Sequence, residues 1–145
     1  MSNYKKAEDE IHNKDVQITA LGTLALRDSL TNVGNKAAFT ASVSEIHDSD
    51  KYGILLMDAN NLKMINDNYG HACGDYVLQT VASLIKESLR GDDMASRYGG
   101  EEFTVLLNET TKDDAIMVAE RIRSSIESYD FIFNDQQIGR ASCRE

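Results

Sequence analysis

The chain has 145 residues, 41% of them hydrophobic and 27% charged, the size and balance of one ordinary domain able to bury a single core. Its formal net charge of -9 excludes a basic face for a nucleic-acid polymer or an anionic membrane, so any nucleotide must be bridged to it by a cation. Cys73, Cys143 and the three histidines lack metal-ligand spacing. The two cysteines make no disulfide framework, no apolar run approaches a membrane span, and MSNYKKAEDE has no signal-peptide core, so a cytoplasmic location is expected.

From Tyr4 to Arg27 the chain is polar and free of proline, with Ile11, Ile18 and Ala25 at seven-residue spacing and Leu21 close behind Ile18. The pattern fits an N-terminal helix, either a short amphipathic one or the end of a parallel coiled coil, although Lys14 and Asp28 interrupt the seam. Lys51–Ala59, KYGILLMDA, is a continuous apolar run that stops at an aspartate, as a buried central strand ending near Asp58 would. In Asp75–Leu89, the residues Val77, Leu78, Val81, Leu84 or Ile85, and Leu89 recur at helical spacing.

DMASRYGG and EEFTVLL then read as two strands joined by a tight Gly-Gly hairpin. Gly99 and Gly100 are expected at φ > 0, with Glu101 and Glu102 at the tip. A helix over Thr111–Ser128 carries Ala115, Ala119, Ile122 and Ile126 on one stripe and opens with Thr111 and Asp114 as a capping box. Asp130–Ile138 offers a short edge piece, and GRASCRE lacks the apolar strand expected next.

The order strand, helix, strand, strand, helix predicts an α+β fold, a ferredoxin-like βαββαβ unit with its last strand missing and an N-terminal helix before it. The crossover rule makes the strand ending at Asp58 parallel to a hairpin strand, expected as its neighbour, which brings Asp58 to the Glu101–Glu102 tip. Strand alternation lets one glutamate face Asp58, and Glu101 is the expected one. Two converging carboxylates suit Mg²⁺, and paired ions of that kind serve in-line phosphoryl or nucleotidyl transfer.

RDSLTNVGNKAAF, LLMDANNLKMINDNYGHACGD and RYGGEEF resemble, in this order and at compatible spacing, the successive signatures of the GGDEF-domain diguanylate cyclases. The resemblance runs from Asp28 to about Ile138. It implies a nucleotidyl-cyclase palm, one GTP per subunit, and a homodimer whose subunits face each other to make cyclic di-GMP. It further implies that Asp58 and Glu101 ligate Mg²⁺, with Mn²⁺ as a substitute, assisted by the carbonyl of Ala59. Glu102 then helps deprotonate the ribose 3′-hydroxyl, and Gly99 and Gly100 form part of the substrate-binding turn.

Asn66 and Asp75 occupy the implied guanine-reading positions, where a carboxylate can accept from both guanine N–H groups and an amide can donate and accept. Lys63 is implied near the phosphates. Arg90 and Asp93, in RGDD, match an inhibitory product-binding site. Plainer readings stand beside these: Asp75 as a helix cap, Asn66 with Gly70 as a turn, Lys63 as a solvated lysine, Arg90 as a helix end. His71 and Cys73 read as structural.

Asn60 and Leu62 stand where an aspartate and an aromatic are common in the family, which marks a subtype. The family's following strand, helix and basic phosphate contacts are expected to be missing, and Ile138–Glu145 reads as the in-frame translation of a sequencing-library adapter. The expected organisation is a helical linker at 1–27, a partial GGDEF domain at 28–138 and an artefactual tail at 139–145. The alternative to a cyclase is a catalytically inactive module that binds GTP or cyclic di-GMP.

Overall fold

The computed structural model describes residues 25–59, 61–139 and 143–144. Within them helix α1 (Lys36–Ser44) precedes strand β1 (Tyr52–Ala59) and helices α2 (Leu62–Tyr69) and α3 (His71–Glu87). The hairpin strands β2 (Met94–Arg97) and β3 (Glu102–Asn108) follow, then helix α4 (Lys112–Glu127). A second hairpin, β4 (Phe131–Phe133) and β5 (Gln136–Gly139), and a two-residue strand β6 (Cys143–Arg144) complete the order. The predicted N-terminal helix falls almost wholly outside the described residues.

The main sheet has the order β2-β3-β1-β6, and every neighbouring pair is antiparallel. This is the expected α+β palm, but the last strand predicted to be missing is represented by the two-residue β6 beside β1, and the pairing of β1 is also corrected. β1 does run parallel to β2, as the crossover rule requires, but β3 lies between them and is the strand that β1 pairs with. The hairpin's return strand inserts into the crossover, so the neighbour of Asp58 comes from β3.

A further correction concerns which strand is central. β3 is buried on both faces from Phe103 to Leu107, whereas β1 alternates, leaving Tyr52, Ile54 and Leu56 exposed. Its apolar run is continuous, yet β6 pairs only with Asp58 and Ala59, leaving the rest of that edge without a ladder partner among the described residues. Beside this edge a groove of about 560 Å³ separates Ile54–Met57 from Ala115, Ile116 and Ala119 of α4.

The core lies on the face of the sheet opposite Ile54 and Leu56. Val77, Val81 and Ile85 of α3 and Ile122 and Ile126 of α4 join Phe103, Val105 and Leu107 of β3 in one cluster, all at most 1% exposed. The stripes read from helical spacing on α3 and α4 are thus the packed ones. Thr111 caps α4 as expected, its hydroxyl accepting from Asp114 N at 3.2 Å. Asp130–Ile138 forms a separate hairpin and not an edge of the main sheet. Its turn residues Asn134 (φ 50) and Asp135 (φ 61) have the left-handed backbone that a two-residue hairpin needs.

The segment before α1 is joined to β2. Gly34 N donates to Ala95 O at 3.0 Å and Arg97 N donates to Gly34 O at 2.7 Å, a parallel bridge on the outer edge of β2. No helix among the described residues is long and apolar enough to cross a membrane.

Candidate functional site

One end of the sheet gathers the end of β1, the β2–β3 connection and the start of α2. In the β1–β3 ladder Asp58 is registered opposite Glu102, while Ala59 N donates to Glu101 O at 2.9 Å. Backbone bonding at Ala59–Glu101 makes Asp58–Glu102 a non-hydrogen-bonded pair, the kind whose Cα atoms are about 4.5 Å apart and whose side chains leave by the same face. Glu102 therefore shares the face of Asp58, whereas Glu101, the glutamate expected there, precedes β3 in a bend and meets β1 through its carbonyl. Alternation along one strand gives parity, and only the partner's register says which parity matches.

Asp58 Oδ1 is buried and accepts no hydrogen bond from the described residues. An enclosed carboxylate oxygen in that state is costly until a cation or a donor joins it. With Glu102 on the same face and Glu101 half-buried beside it, the donors are hard oxygens, which fit a divalent cation such as Mg²⁺. Among the described residues no three His, Cys, Asp or Glu side chains already surround one point. A cation here would keep room for water and for phosphate oxygens.

The connection next to this pair differs from the expected two-residue turn. Four residues, Tyr98–Glu101, link the strands, and neither Gly99 nor Gly100 has positive φ. Tyr98 N and Gly99 N both donate to Glu102 O, at 2.7 and 3.2 Å, so the longer loop closes without left-handed backbone. A Cβ on Gly100 would meet nothing within 4 Å, so glycine there simply leaves bare backbone facing outward.

Arg97 holds this connection in place. Its Nε and Nη2 donate to Gly100 O at 3.1 and 2.7 Å, and its Nη1 reaches the Asp28 carboxylate at 3.4 Å. Asp28 in turn accepts from Thr31 N and Oγ1 at 2.9 and 2.6 Å. Burial alone would raise the Asp28 carboxyl, but the Thr31 hydrogen bonds and the Arg97 charge outweigh it and hold it below its ordinary value. α1 braces the other side, with Phe39 edge-on to Tyr98 at 5.9 Å and Lys36 Nζ 4.8 Å from the Tyr98 ring centre. Arg97 and Asp28 are site residues that the motifs alone do not single out. Their sequence signal is an arginine just before a bare Gly-Gly backbone and an Asp-x-x-Thr turn.

Lys63 is exposed in the first turn of α2. Asn66 lies one turn on, and its Oδ1 is buried without a partner. Its backbone carbonyl accepts from Gly70 N at 2.8 Å, but that bond leaves the side chain free of any turn duty. Gly70, with φ 93, makes the break between α2 and α3. Asp75 is exposed within α3, whose N-cap is Gly70, so helix capping does not account for it. His71 opens α3 on the surface, and Cys73 is fully buried, which pushes its thiol pKa up.

Arg90 and Asp93 sit at the opposite end of the β2–β3 hairpin, about 20 Å along β3 from the carboxylate pair. The Asp93 side chain is only 2% exposed; it accepts from Asn108 N and Arg90 N, both at 3.1 Å, and pairs with Arg90 Nε at 3.4 Å. Hydrogen bonding and charge from Asp93 push the Arg90 pKa up. Arg90 also donates to Asn108 O at 2.7 Å, although its side chain is 59% exposed.

Residues 25–143 match the family described as the GGDEF domain of diguanylate cyclases. Diguanylate cyclase A of Treponema denticola is 51% identical over 85 residues, 59% of this chain and 23% of that protein. The probable diguanylate cyclase DgcT of Escherichia coli K12 is 40% identical over 107 residues, 72% of this chain and 24% of that protein. The chain thus spans about a quarter of the length of these curated relatives. The solved GGDEF domain of DgcB from Caulobacter crescentus, in complex with c-di-GMP, is similar with a TM-score of 0.75 at 28% identity, covering 82% of this chain and 74% of that one.

Proposed function

The chain belongs to the GGDEF-domain family of diguanylate cyclases, and from that premise we propose that it binds one GTP and, facing a second copy, condenses two GTP into cyclic di-GMP. The observation that carries the reading is the buried, unpartnered Asp58 Oδ1 with Glu102 registered on the same face. Each half-reaction forms a bond between a ribose 3′-oxygen and the α-phosphorus of the facing GTP. The bond from that phosphorus to the bridging oxygen breaks and pyrophosphate leaves. Two such steps close the ring.

Asp58 and Glu102 are the carboxylates we assign to holding a divalent cation, Mg²⁺ or Mn²⁺, with Glu101 and the carbonyl of Ala59 alongside. When bound, that cation would neutralise phosphate charge and favour departure of pyrophosphate. Glu101, which immediately precedes β3 beside the pair, is then the residue we assign to taking the 3′-hydroxyl proton. This exchanges the two glutamate roles that the family resemblance suggests. Gly99 and Gly100 let the phosphates approach bare backbone, and Lys63 adds positive charge on that side. Asn66 and Asp75 read the guanine edge.

At the far end of the hairpin we propose product inhibition through Arg90, whose exposed guanidinium suits a phosphate or a guanine edge, with Asp93 fixing its loop. A module that binds GTP or cyclic di-GMP without turnover is the second reading. What favours it is that Arg97, the guanidinium beside the connection, is already engaged by Gly100 and Asp28.

The test is GTP turnover with Mg²⁺, scored by both cyclic di-GMP and pyrophosphate, for the chain and for Asp58→Asn, Glu102→Gln and Glu101→Gln. Each substitution is expected to lower the rate by roughly 10²-fold or more, as loss of a charge-stabilising or proton-transferring group does. GTP binding without product from the folded, dimeric parent chain would leave the sensing reading in place of the cyclase.

A further inference from the structure

Gly74 lies on α3 immediately before Asp75, buried where α3 packs against α2. A Cβ built on it would fall 1.7 Å from Asn66 Oδ1 and 2.8 Å from Asn66 Cγ. None of the other glycines from Gly34 to Gly100 comes so close to a neighbouring group; for Gly34 the nearest atom is at 2.8 Å. The carboxamide of Asn66 therefore occupies the space that any side chain at position 74 would take, and its Oδ1 is buried there with no hydrogen-bond partner. Glycine is unfavourable inside a helix, and a buried acceptor without a donor is costly. Both penalties fall on the same contact.

We propose that Gly74 is a positioning residue for guanine selection. Its missing Cβ is the seat that holds the Asn66 carboxamide in reading orientation, one residue from the second reader, Asp75. This rests on the guanine-reading assignment made above and adds to it the residue that sets the orientation of one reader. The group displaced by a methyl at position 74 is the end of a flexible side chain, so Asn66 swings away and the helices need not part. Alanine also raises helix propensity at that position. The effect of Gly74→Ala should thus fall on recognition and not on folding.

The experiment uses the whole chain and the variants Gly74→Ala, Asn66→Ala and the two combined. Thermal melting reads the fold, the side-chain amide resonances of Asn66 read its seating without nucleotide, and titration with GTP, ITP and ATP in Mg²⁺ reads selection. Gly74→Ala is expected to melt no lower than the parent and to move the Asn66 amide resonances. Its GTP affinity should fall about tenfold, the scale of one lost hydrogen bond to the base, with a smaller loss for ATP. The double variant should bind GTP no worse than Asn66→Ala alone, because both changes remove the same contact.

Unmoved Asn66 resonances in Gly74→Ala would overturn the seating. Moved resonances with undiminished GTP affinity, or losses that add in the double variant, would overturn the role in selection. A parent chain that binds GTP no better than ATP would overturn the guanine reading itself, separately from whether Gly74 seats Asn66.

Discussion

At the scale of single residues, the site depends on one guanidinium that serves two masters, the Gly100 carbonyl and the Asp28 carboxylate. A planar fork can satisfy both at once and an ammonium cannot, so Arg97→Lys should behave much like Arg97→Ala. Both are expected to weaken GTP binding about tenfold in a nucleotide titration, and recovery of parent affinity in the lysine variant would count against the fork. Asp28 makes a prediction about acid. Its carboxyl is held below its unfolded value by Thr31 and Arg97, so the stability it contributes is complete above the unfolded pKa, about 3.9, and is lost as pH falls through the lower folded value. Melting temperatures followed downward from pH 5 should fall less steeply in Asp28→Asn than in the parent. Asp58, Glu101, Glu102, Asn66 and Asp75 can all be picked out from the motifs. Which glutamate faces Asp58 cannot, because that depends on how β3 registers against β1, a property of two strands together.

At the scale of elements, the loop before β2 separates a structural duty from a binding duty. Asp93 satisfies the backbone N–H groups of Asn108 and Arg90 from a nearly sealed position, so Asp93→Ala leaves them without an acceptor. Chemical denaturation should show a loss of about 1 to 3 kcal/mol for that variant, and distinctly less for Arg90→Ala, whose side chain is largely in water. Equal losses would mean that Arg90 holds the loop as firmly as Asp93 does. The longer helices α3 and α4 were legible because each repeats apolar residues over several turns. α1 and α2 were not, since in nine and eight residues they bury only Ala38, and Leu62 with Ile65. β1 misled for a related reason: an apolar run records what a strand can bury, and what covers it is decided by the neighbours.

At the scale of the whole molecule, charge and edge act against each other. The chain carries a net charge of -9, yet along Tyr52–Met57 it leaves β1 without a ladder partner among the described residues and exposes Ile54 and Leu56. Free edges of this kind invite pairing between chains, and like charge keeps the copies apart until salt screens it. Light scattering should therefore report association beyond a dimer as salt rises from about 0.1 to 1 M, suppressed in Leu56→Lys. Scattering that stays flat over that range would show the edge to be protected. The bridge at Gly34 has a different kind of consequence. It bonds the chain entering the domain to β2 on both sides of Ser96, and Asp28 grips Arg97 just beyond. Mechanically this is a lever with its fulcrum at Gly34: a displacement of Asp28 is handed through Arg97 to the Gly100 carbonyl.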